Sequence, residues 1–130
     1  DRDDRSILTN CVLKNKLEFV NKLLDNDKLD VNNQDQNGYT ALHFAVQEGY
    51  TDIVLALLQS KDIKVNIQDK WGNTSLWRAV QNVPENRNII DILIKYGSDL
   101  NLKNNSGISP LQIMQEDHEE GDYDYSQYLD

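Results

Sequence analysis

A pattern that recurs about every 34 residues constrains this chain more than any other feature of its sequence. Residues 35–42 read DQNGYTAL, and the related stretch DKWGNTSL occupies residues 69–76. A third version, NNSGISPL, occupies residues 104–111. Segments that recur with a period between about 20 and 50 residues indicate a stacked array of similar units. The chain is therefore predicted to fold as such an array.

Each repeat is predicted to contain a polar turn followed by two short helices. A glycine lies in every turn, where a residue without a Cβ takes a positive φ at little cost. A Ser or Thr precedes each first apolar run, and such a residue caps a helix by accepting a bond from an unpaired amide. The predicted caps are Thr40, Thr74 and Ser109. One unit cannot bury its apolar face alone, so neighbouring units must cover it and the end units must be atypical.

The repeated residues resemble those of the ankyrin repeat over about residues 6–114. In the clearest copy, the matching residues are Asp35, Gly38, Thr40, Leu42, His43, Ala45, Gly49, Val54, Leu57, Leu58, Val65 and Asn66. The next copy departs where Ser75 replaces the family's proline and Trp77 its histidine, and the last has Pro110 but carries Gln112 in place of the histidine. The resemblance implies an all-α ankyrin-repeat solenoid of about four stacked helix-turn-helix units with short hairpin loops.

The repeat boundaries divide the chain into a domain at residues 1–115 and a C-terminal segment at residues 116–130. The units are predicted at about 6–34, 35–68, 69–103 and 104–115. Helices are predicted near Ser6–Leu13, Leu17–Leu24, Ala41–Gln47, Ile53–Gln59 and Ile89–Tyr96. Residues 27–30 and 61–64 lengthen the first two units in the same way, so these two loops are expected to lie side by side.

Composition limits the class of protein further. A chain of 130 residues suits one domain. No apolar run approaches the ~18 residues that a membrane span needs, and the N-terminus lacks a signal-peptide pattern. The single Cys11 excludes an intrachain disulfide framework and is expected to be a small buried residue. These features favour a cytoplasmic location, without a membrane partner.

The C-terminal segment EDHEEGDYDYSQYLD carries most of the chain's charge. It holds seven acidic residues and no Lys or Arg, which leaves fifteen acidic and thirteen basic residues before it. Such blocks are commonly solvated tails. Alternatively, Tyr125, Tyr128 and Leu129 lie at helical spacing and could form a capping second helix of the last unit. The segment could also speed docking onto a basic partner. A metal site is disfavoured because the EF-hand pattern is absent, and the acidic balance disfavours a nucleic-acid partner.

The sequence contains no recognisable catalytic motif. A Gly-rich phosphate loop, a CxxC pair and an HExxH motif are all absent from it. His43 is the most tempting candidate for chemistry, but the family resemblance implies that this histidine bonds locally and orders the turns. We therefore expect a protein that is not an enzyme and that has no cofactor and no metal.

Two tryptophans flank the first helix of the third unit. Trp71 lies at the tip of the hairpin, where the other copies carry polar residues, and large aromatic residues dominate binding hot spots. It either contacts a partner or lies across the next hairpin. Trp77, in the histidine position, is expected to be in the core or half-buried.

The ankyrin resemblance implies a non-catalytic module that binds a protein partner through its hairpin tips and the concave face of its first helices. The positions it nominates are Gln36, Asn37, Tyr39, Gln47, Glu48, Lys70, Trp71, Asn73, Arg78, Gln81, Asn82, Asn105 and Ile108. The module is expected to be monomeric alone. The alternative is a structural or assembly protein that self-associates through its Trp-bearing face or an uncapped end.

A narrower resemblance concerns the third and fourth units. The stretches WGNTSLWRAV and LNLKNNSGISPL are similar to a subset of bacterial ankyrin-repeat proteins, some of which are immunity or inhibitor partners of secreted toxins. This resemblance implies an inhibitor of a basic, toxin-like or nuclease-like enzyme, with the acidic C-terminal segment as a substitute for a polyanionic substrate.

Overall fold

The computed structural model describes residues 5–81, 85–120 and 126–128, except for the side chains of 117–120. Within this part of the chain there are seven α-helices and one short 3-10 helix, and no residue lies in a strand. The α-helices are α1 (Ile7–Leu13), α2 (Leu17–Leu24), α3 (Ala41–Glu48), α4 (Thr51–Leu58), α5 (Ser75–Ala79), α6 (Arg87–Lys95) and α7 (Pro110–Glu120). The 3-10 helix spans Ser126–Tyr128.

The helices pack in two rows, as a helix-turn-helix solenoid requires. Helices α1, α3 and α5 contact one another in sequence, and α2, α4 and α6 form the second row. Within each unit the two helices contact each other, for example α3 with α4. Leu8, Leu42 and Leu76 lie 34 residues apart, and each is at most 2% exposed. Equivalent side chains therefore interlock along one continuous core, and the predicted all-α repeat architecture is confirmed.

Every hairpin is closed by one side chain in the same way. In the second unit, Asp35 Oδ1 accepts from the amides of Asn37 and Tyr39, each at 2.9 Å. The backbone amide of Asp35 donates to the carbonyl of Tyr39 at 2.9 Å. Asp69 and Asn104 repeat the arrangement in the next two units. Because the backbone of each tip is held by the same three bonds, the tip residues occupy equivalent positions.

Neighbouring hairpins lie backbone against backbone. The amide of Lys70 donates to the carbonyl of Asn37 at 3.0 Å, and the amide of Asn105 donates to the carbonyl of Trp71 at the same distance. Gly72 has a φ of +83°, and a Cβ built on it would lie 2.6 Å from the nitrogen of Asn105. Glycine is therefore needed at this tip for two reasons, the left-handed backbone and the closeness of the next hairpin.

The two lengthened loops lie side by side, as predicted, since Asp27 and Leu29 line the same pocket as Lys61 and Asp62. Asn32 donates through Nδ2 to the carbonyl of Asp62 at 2.8 Å and accepts at Oδ1 from the amide of Lys64 at 2.9 Å. Asn66 repeats this bridge one unit later, to the carbonyl of Gly97 and the amide of Asp99. These amide side chains tie each loop to the next.

The predicted caps are confirmed, but two predicted helix starts are wrong. The side chains of Thr40 and Thr74 accept from the third residue of α3 and α5, respectively. Helix α4 begins at Thr51 and helix α6 at Arg87, each two residues before the predicted start. The apolar run marks only the buried face of a helix, whereas the first two residues of both helices are polar and at least partly exposed.

The boundary predicted at residue 115 falls inside a helix. Helix α7 continues to Glu120, since neither Gly nor Pro interrupts residues 111–120. Tyr128 then packs against the core and donates a hydrogen bond to Asp91 of α6. Part of the acidic segment is thus helical and part returns to the stack, whereas Tyr125 and Leu129 lie outside the described residues.

Replacing two turn glycines by alanine should distinguish the cost of a left-handed backbone from the cost of a clash with the next hairpin. Gly107 has a φ of +77° but nothing within 4 Å of its Cβ position. Gly107→Ala should lower the free energy of unfolding by about 1 kcal/mol, the cost of a left-handed alanine. Gly72→Ala should cost at least ~2 kcal/mol more, because its Cβ must displace backbone. Urea unfolding of both variants measures the difference, and equal losses would contradict the hairpin contact.

Candidate functional site

A groove of about 400 Å³ opens between the second, third and fourth hairpins. We call it the aromatic groove, and its lining residues are Tyr39, Trp71, Asn73, Trp77, Arg78, Asn104, Asn105 and Ser106. Three aromatic rings and one guanidinium are thus combined with amide and hydroxyl groups. Such a mixture of apolar surface and fixed polar groups is typical of binding sites.

Arg78 is the centre of the aromatic groove. Its Nε and Nη2 donate to Oδ2 of Asp69 at 3.2 and 2.9 Å. The guanidinium carbon lies 5.3 Å from the ring centroid of Tyr39, 5.6 Å from that of Trp71 and 5.8 Å from that of Trp77. Each distance is within the range for an attractive cation–π contact. The guanidinium therefore orients all three rings.

Asp69 links the groove to the scaffold. Its side chain is fully buried, with Oδ2 facing Arg78 while Oδ1 accepts from the amides of Trp71 and Asn73. One carboxylate thus closes the hairpin and neutralises the cation in the groove. Burial raises the pKa of the nearby Tyr39 phenol, an effect that Arg78 opposes and the Asp69 charge reinforces. Tyr39 therefore stays protonated at neutral pH.

Trp71 packs backwards onto the preceding unit. Its ring centroid lies 6.2 Å from that of Tyr39, with the two planes at 67°, and the Nζ of Lys70 lies 4.6 Å from the same centroid. The residue is 44% exposed. Trp71 is therefore held in place while a large part of its surface faces solvent.

Trp77 occupies the position that His43 holds in the second unit, where the histidine side chain forms hydrogen bonds. Its indole Nε1 is buried and has no hydrogen-bond partner among the residues that the structure describes. The amide of Trp77 still donates to Thr74 Oγ1 at 3.1 Å, but the ring offers no acceptor for a bond in return. Trp77 is half-buried, which agrees with the sequence-based expectation, and it forms one wall of the groove.

His43 serves the stack, as the family resemblance implied. Its Nδ1 accepts from the amide of Thr40 at 3.2 Å, and its Nε2 lies 2.9 Å from the carbonyl oxygen of Asn73, to which it donates. The ring also stacks on Tyr39, with centroids 5.4 Å apart and planes at 11°. Burial lowers the pKa of His43, although its bond to Asn73 and the Asp69 charge act in the opposite direction. The neutral imidazole thus joins the second and third units beneath the groove.

The structure brings together only some of the residues nominated from the sequence. Tyr39, Trp71, Asn73, Arg78 and Asn105 line the aromatic groove. Asn73 is only 4% exposed, and its Oδ1 accepts from the side chain of Asn104 at 2.9 Å. Its side chain therefore links the third unit to the fourth. The exposed residues outside the groove are Gln36, Gln47, Glu48, Lys70, Gln81 and Ile108. Asn37 is partly buried, and Asn82 lies outside the described residues.

Sequence reasoning missed three lining residues of the groove. They are Trp77, Asn104 and Ser106. Asn104 and Ser106 were identified only as hairpin residues, and nothing in their local sequence shows that the preceding hairpin leaves them beside Trp71. The only local signal for Trp77 is that Arg78 follows it directly; the structure shows that the Arg78 guanidinium lies near the rings of both Trp71 and Trp77.

The rows of paired helices define an all-α repeat protein with a groove along its hairpins. A family model for ankyrin repeats, comprising three copies, matches residues 8–104, about three quarters of the chain. The chain therefore belongs to the ankyrin-repeat family. A comparison with curated proteins returned no match. Ankyrin repeats are generally protein–protein interaction modules and are typically non-catalytic. None of the described helices is long and apolar enough to cross a membrane.

The lowered pKa of His43 predicts a pH dependence of stability. In the unfolded chain His43 has its ordinary pKa of 6.5, whereas in the folded chain its pKa is lower. Below pH 6.5 the unfolded chain therefore binds a proton more readily than the folded chain does. The free energy of unfolding should therefore fall as the pH drops below 6.5, by up to about 1.4 kcal/mol per pH unit. His43→Gln should remove this slope, because Gln112 closes the equivalent turn by accepting from the amide of Ser109. Urea unfolding between neutral and mildly acidic pH measures both slopes, and parallel curves would contradict the assignment.

Proposed function

We propose that this chain is a non-catalytic binding module and that the aromatic groove contacts its protein partner. The observation that carries the proposal is the 44% exposure of Trp71 at a hairpin tip. A solvent-exposed indole contributes little to a core, whereas Trp, Tyr and Arg are enriched among the residues that dominate binding energy. Tyr39 and Arg78 supply the other two residue types beside it.

The scaffold around Trp71 supports this role because it is rigid. The amide of Trp71 donates to Asp69 Oδ1 at 2.9 Å, and its carbonyl accepts from the amide of Asn105 at 3.0 Å. Lys70 and Arg78 restrict the ring from its own unit. A surface that is already ordered loses little conformational entropy when it binds. The groove therefore offers its aromatic surface at a low entropic cost.

The proposed contact surface extends beyond the groove on both sides. Ile108, at 39% exposure, adds an apolar side chain on the fourth hairpin. The ends of the first helices add an exposed polar rim at Gln47, Glu48 and Gln81. Asn82 belongs to this rim on the basis of its sequence position alone. An apolar centre with a polar rim is the usual arrangement of a protein interface.

The proposal includes a basic partner, in the manner of an inhibitor or immunity protein. Seven of the 22 acidic residues lie in residues 116–130, and the net charge is −9. Tyr128 bonds to Asp91, so this segment is tied to the stack beyond α7. A negative field of this kind accelerates association with a basic surface. The proposal places a monomeric module in a reducing, cytoplasmic compartment, because a single cysteine cannot form an intrachain disulfide.

Replacing Trp71 tests the groove directly. The partner is first isolated by its binding to the wild-type chain. Trp71→Ala should then weaken the binding free energy for this partner by ~2 kcal/mol or more. Its free energy of unfolding should fall by only about 1 kcal/mol, for the lost contacts with Tyr39 and Arg78. Phe19→Ala is the matched control, because Phe19 is 53% exposed on α2, outside the groove. Calorimetry of both variants provides the measurement, and equal affinities for the two would contradict the proposal.

Neutralising the acidic part of α7 tests the basic partner without removing Tyr128. The combined substitution Glu116→Gln, Asp117→Asn, Glu119→Gln and Glu120→Gln replaces each carboxylate by its amide and removes four charges. Association should slow at low salt, by about tenfold, and match the wild-type rate at high salt, where charges are screened. Stopped-flow measurement of the intrinsic fluorescence of the two groove tryptophans, Trp71 and Trp77, follows the rate. An association rate that is independent of both salt and substitution would exclude a basic partner.

A further inference from the structure

The charge at the aromatic groove is opposite in sign to that of the whole chain. None of the eight lining residues is acidic. The hairpins contribute two carboxylates, Asp35 and Asp69, whose side chains are only 2% and 0% exposed. Lys70 is exposed on the third hairpin, and Arg78 lies in the groove itself. The net charge of the chain is −9, yet the charge that the described residues expose at this groove is positive.

Lys70 carries a charge that no described carboxylate neutralises. It forms no ion pair within the part of the chain that the structure describes, and its Nζ lies 4.6 Å from the ring centroid of Trp71. Its amide donates to the carbonyl of Asn37 at 3.0 Å, and its carbonyl accepts from Nδ2 of Asn105 at 2.9 Å. Because the backbone is held by both neighbouring hairpins, the ammonium group is kept at the edge of the groove.

Arg78 still has hydrogen-bond donors for a ligand. A guanidinium has five N–H groups, and Asp69 accepts from only two of them, one on Nε and one on Nη2. Nη1 bonds to none of the described residues, and 28% of the side chain is exposed. The remaining edge, between Nη1 and Nη2, matches the two oxygens of a carboxylate. Since Asp69 neutralises the charge of Arg78, this edge supplies directed hydrogen bonds while Lys70 supplies the charge.

The two cations lie beside the same indole. The Nζ of Lys70 is 4.6 Å from the ring centroid of Trp71, and the guanidinium carbon of Arg78 is 5.6 Å from it. Trp71 is also 44% exposed, so apolar surface lies directly next to both groups. A ligand that reaches the two cations therefore also covers part of the Trp71 ring. The geometry suits a carboxylate that has an apolar group beside it.

We propose that the aromatic groove binds a segment of the protein partner in which an acidic residue adjoins an apolar one. The aspartate or glutamate of that segment accepts from Arg78 Nη1 and Nη2 and pairs with Lys70 Nζ, while the apolar side chain covers Trp71. This contact rests on the proposed function, since it names the chemistry by which the partner fills the groove. Long-range steering depends on the charge of the whole chain, whereas this contact depends on groups a few ångström apart. A basic partner that presents one acidic side chain to the groove meets both requirements.

A phage-displayed library of randomised heptapeptides tests this chemistry on the full chain before the partner is known. Aspartate or glutamate should be enriched at one position, beside an enriched apolar residue. A synthetic peptide of the enriched sequence, capped at both ends, is then the probe in calorimetric titrations at low salt. Replacing its acidic residue by the corresponding amide should weaken binding by about tenfold or more, because the amide loses the charge and one acceptor oxygen.

Two matched lysine variants locate the contact. Lys70→Gln removes the exposed charge beside Trp71, whereas Lys95→Gln removes an exposed charge on α6 that also lies near a ring, 6.0 Å from the centroid of Tyr96. Both substitutions change the net charge by one unit, so their long-range effects are equal. Both leave the backbone bonds of the hairpins in place, so both variants should fold. Lys70→Gln should weaken binding of the peptide by about fivefold and Lys95→Gln by less than about twofold.

Three results would overturn the carboxylate contact. They are a selection that enriches no acidic residue, equal affinities of the two lysine variants for the peptide, and equally tight binding of a ten-nucleotide thymidine strand that Lys70→Gln weakens, which would assign the groove to phosphate groups. The Trp71→Ala measurement judges the proposed function separately. If the partner's affinity depends on Trp71 while the peptides show no acidic preference, the carboxylate contact fails and the aromatic groove stands. A partner affinity that ignores Trp71 would instead reject the proposed function, whatever the peptides show.

Discussion

The close approach of neighbouring hairpins is the constraint on which the rest of this protein depends. Backbone bonds such as that from Lys70 to Asn37 fix the spacing between units, and glycine at the tips makes the spacing possible. This spacing places Tyr39 of one unit against Trp71 of the next, although the two residues are far apart in sequence. The groove is therefore a product of the stack, since no single unit contains it.

The scaffold and the candidate site share one carboxylate. Asp69 closes the third hairpin with one oxygen and holds Arg78 with the other. A buried carboxylate with a charged partner and two amide donors is well compensated for its loss of water. The Asp69 carboxylate neutralises the charge of the Arg78 guanidinium. The contribution of Arg78 to the unbound groove is therefore to orient the aromatic rings. The exposed charge beside the aromatic rings is then that of Lys70, whose Nζ lies 4.6 Å from the centroid of Trp71.

The fold was predictable from the sequence because the determinants of a repeat are local. The turn glycines and the caps at Thr40 and Thr74 act within a few residues, and their recurrence fixes the unit. The groove was predictable only in part. The direction of the Trp71 ring depends on Tyr39 in another unit, and no local pattern encodes it. The acidic segment was equally ambiguous, because the same charge suits a solvated tail or the second half of α7.

The third unit has the shortest first helix of the described chain, the five residues of α5. It also carries Trp77, which caps less completely than His43 does in the second unit. In a linear array, global stability depends on each unit and on its junctions with its neighbours. The third unit contributes four of the eight residues that line the groove, Trp71, Asn73, Trp77 and Arg78. A partner bound in the groove would contact three successive units at once, and its binding free energy would add to the stability of the whole array.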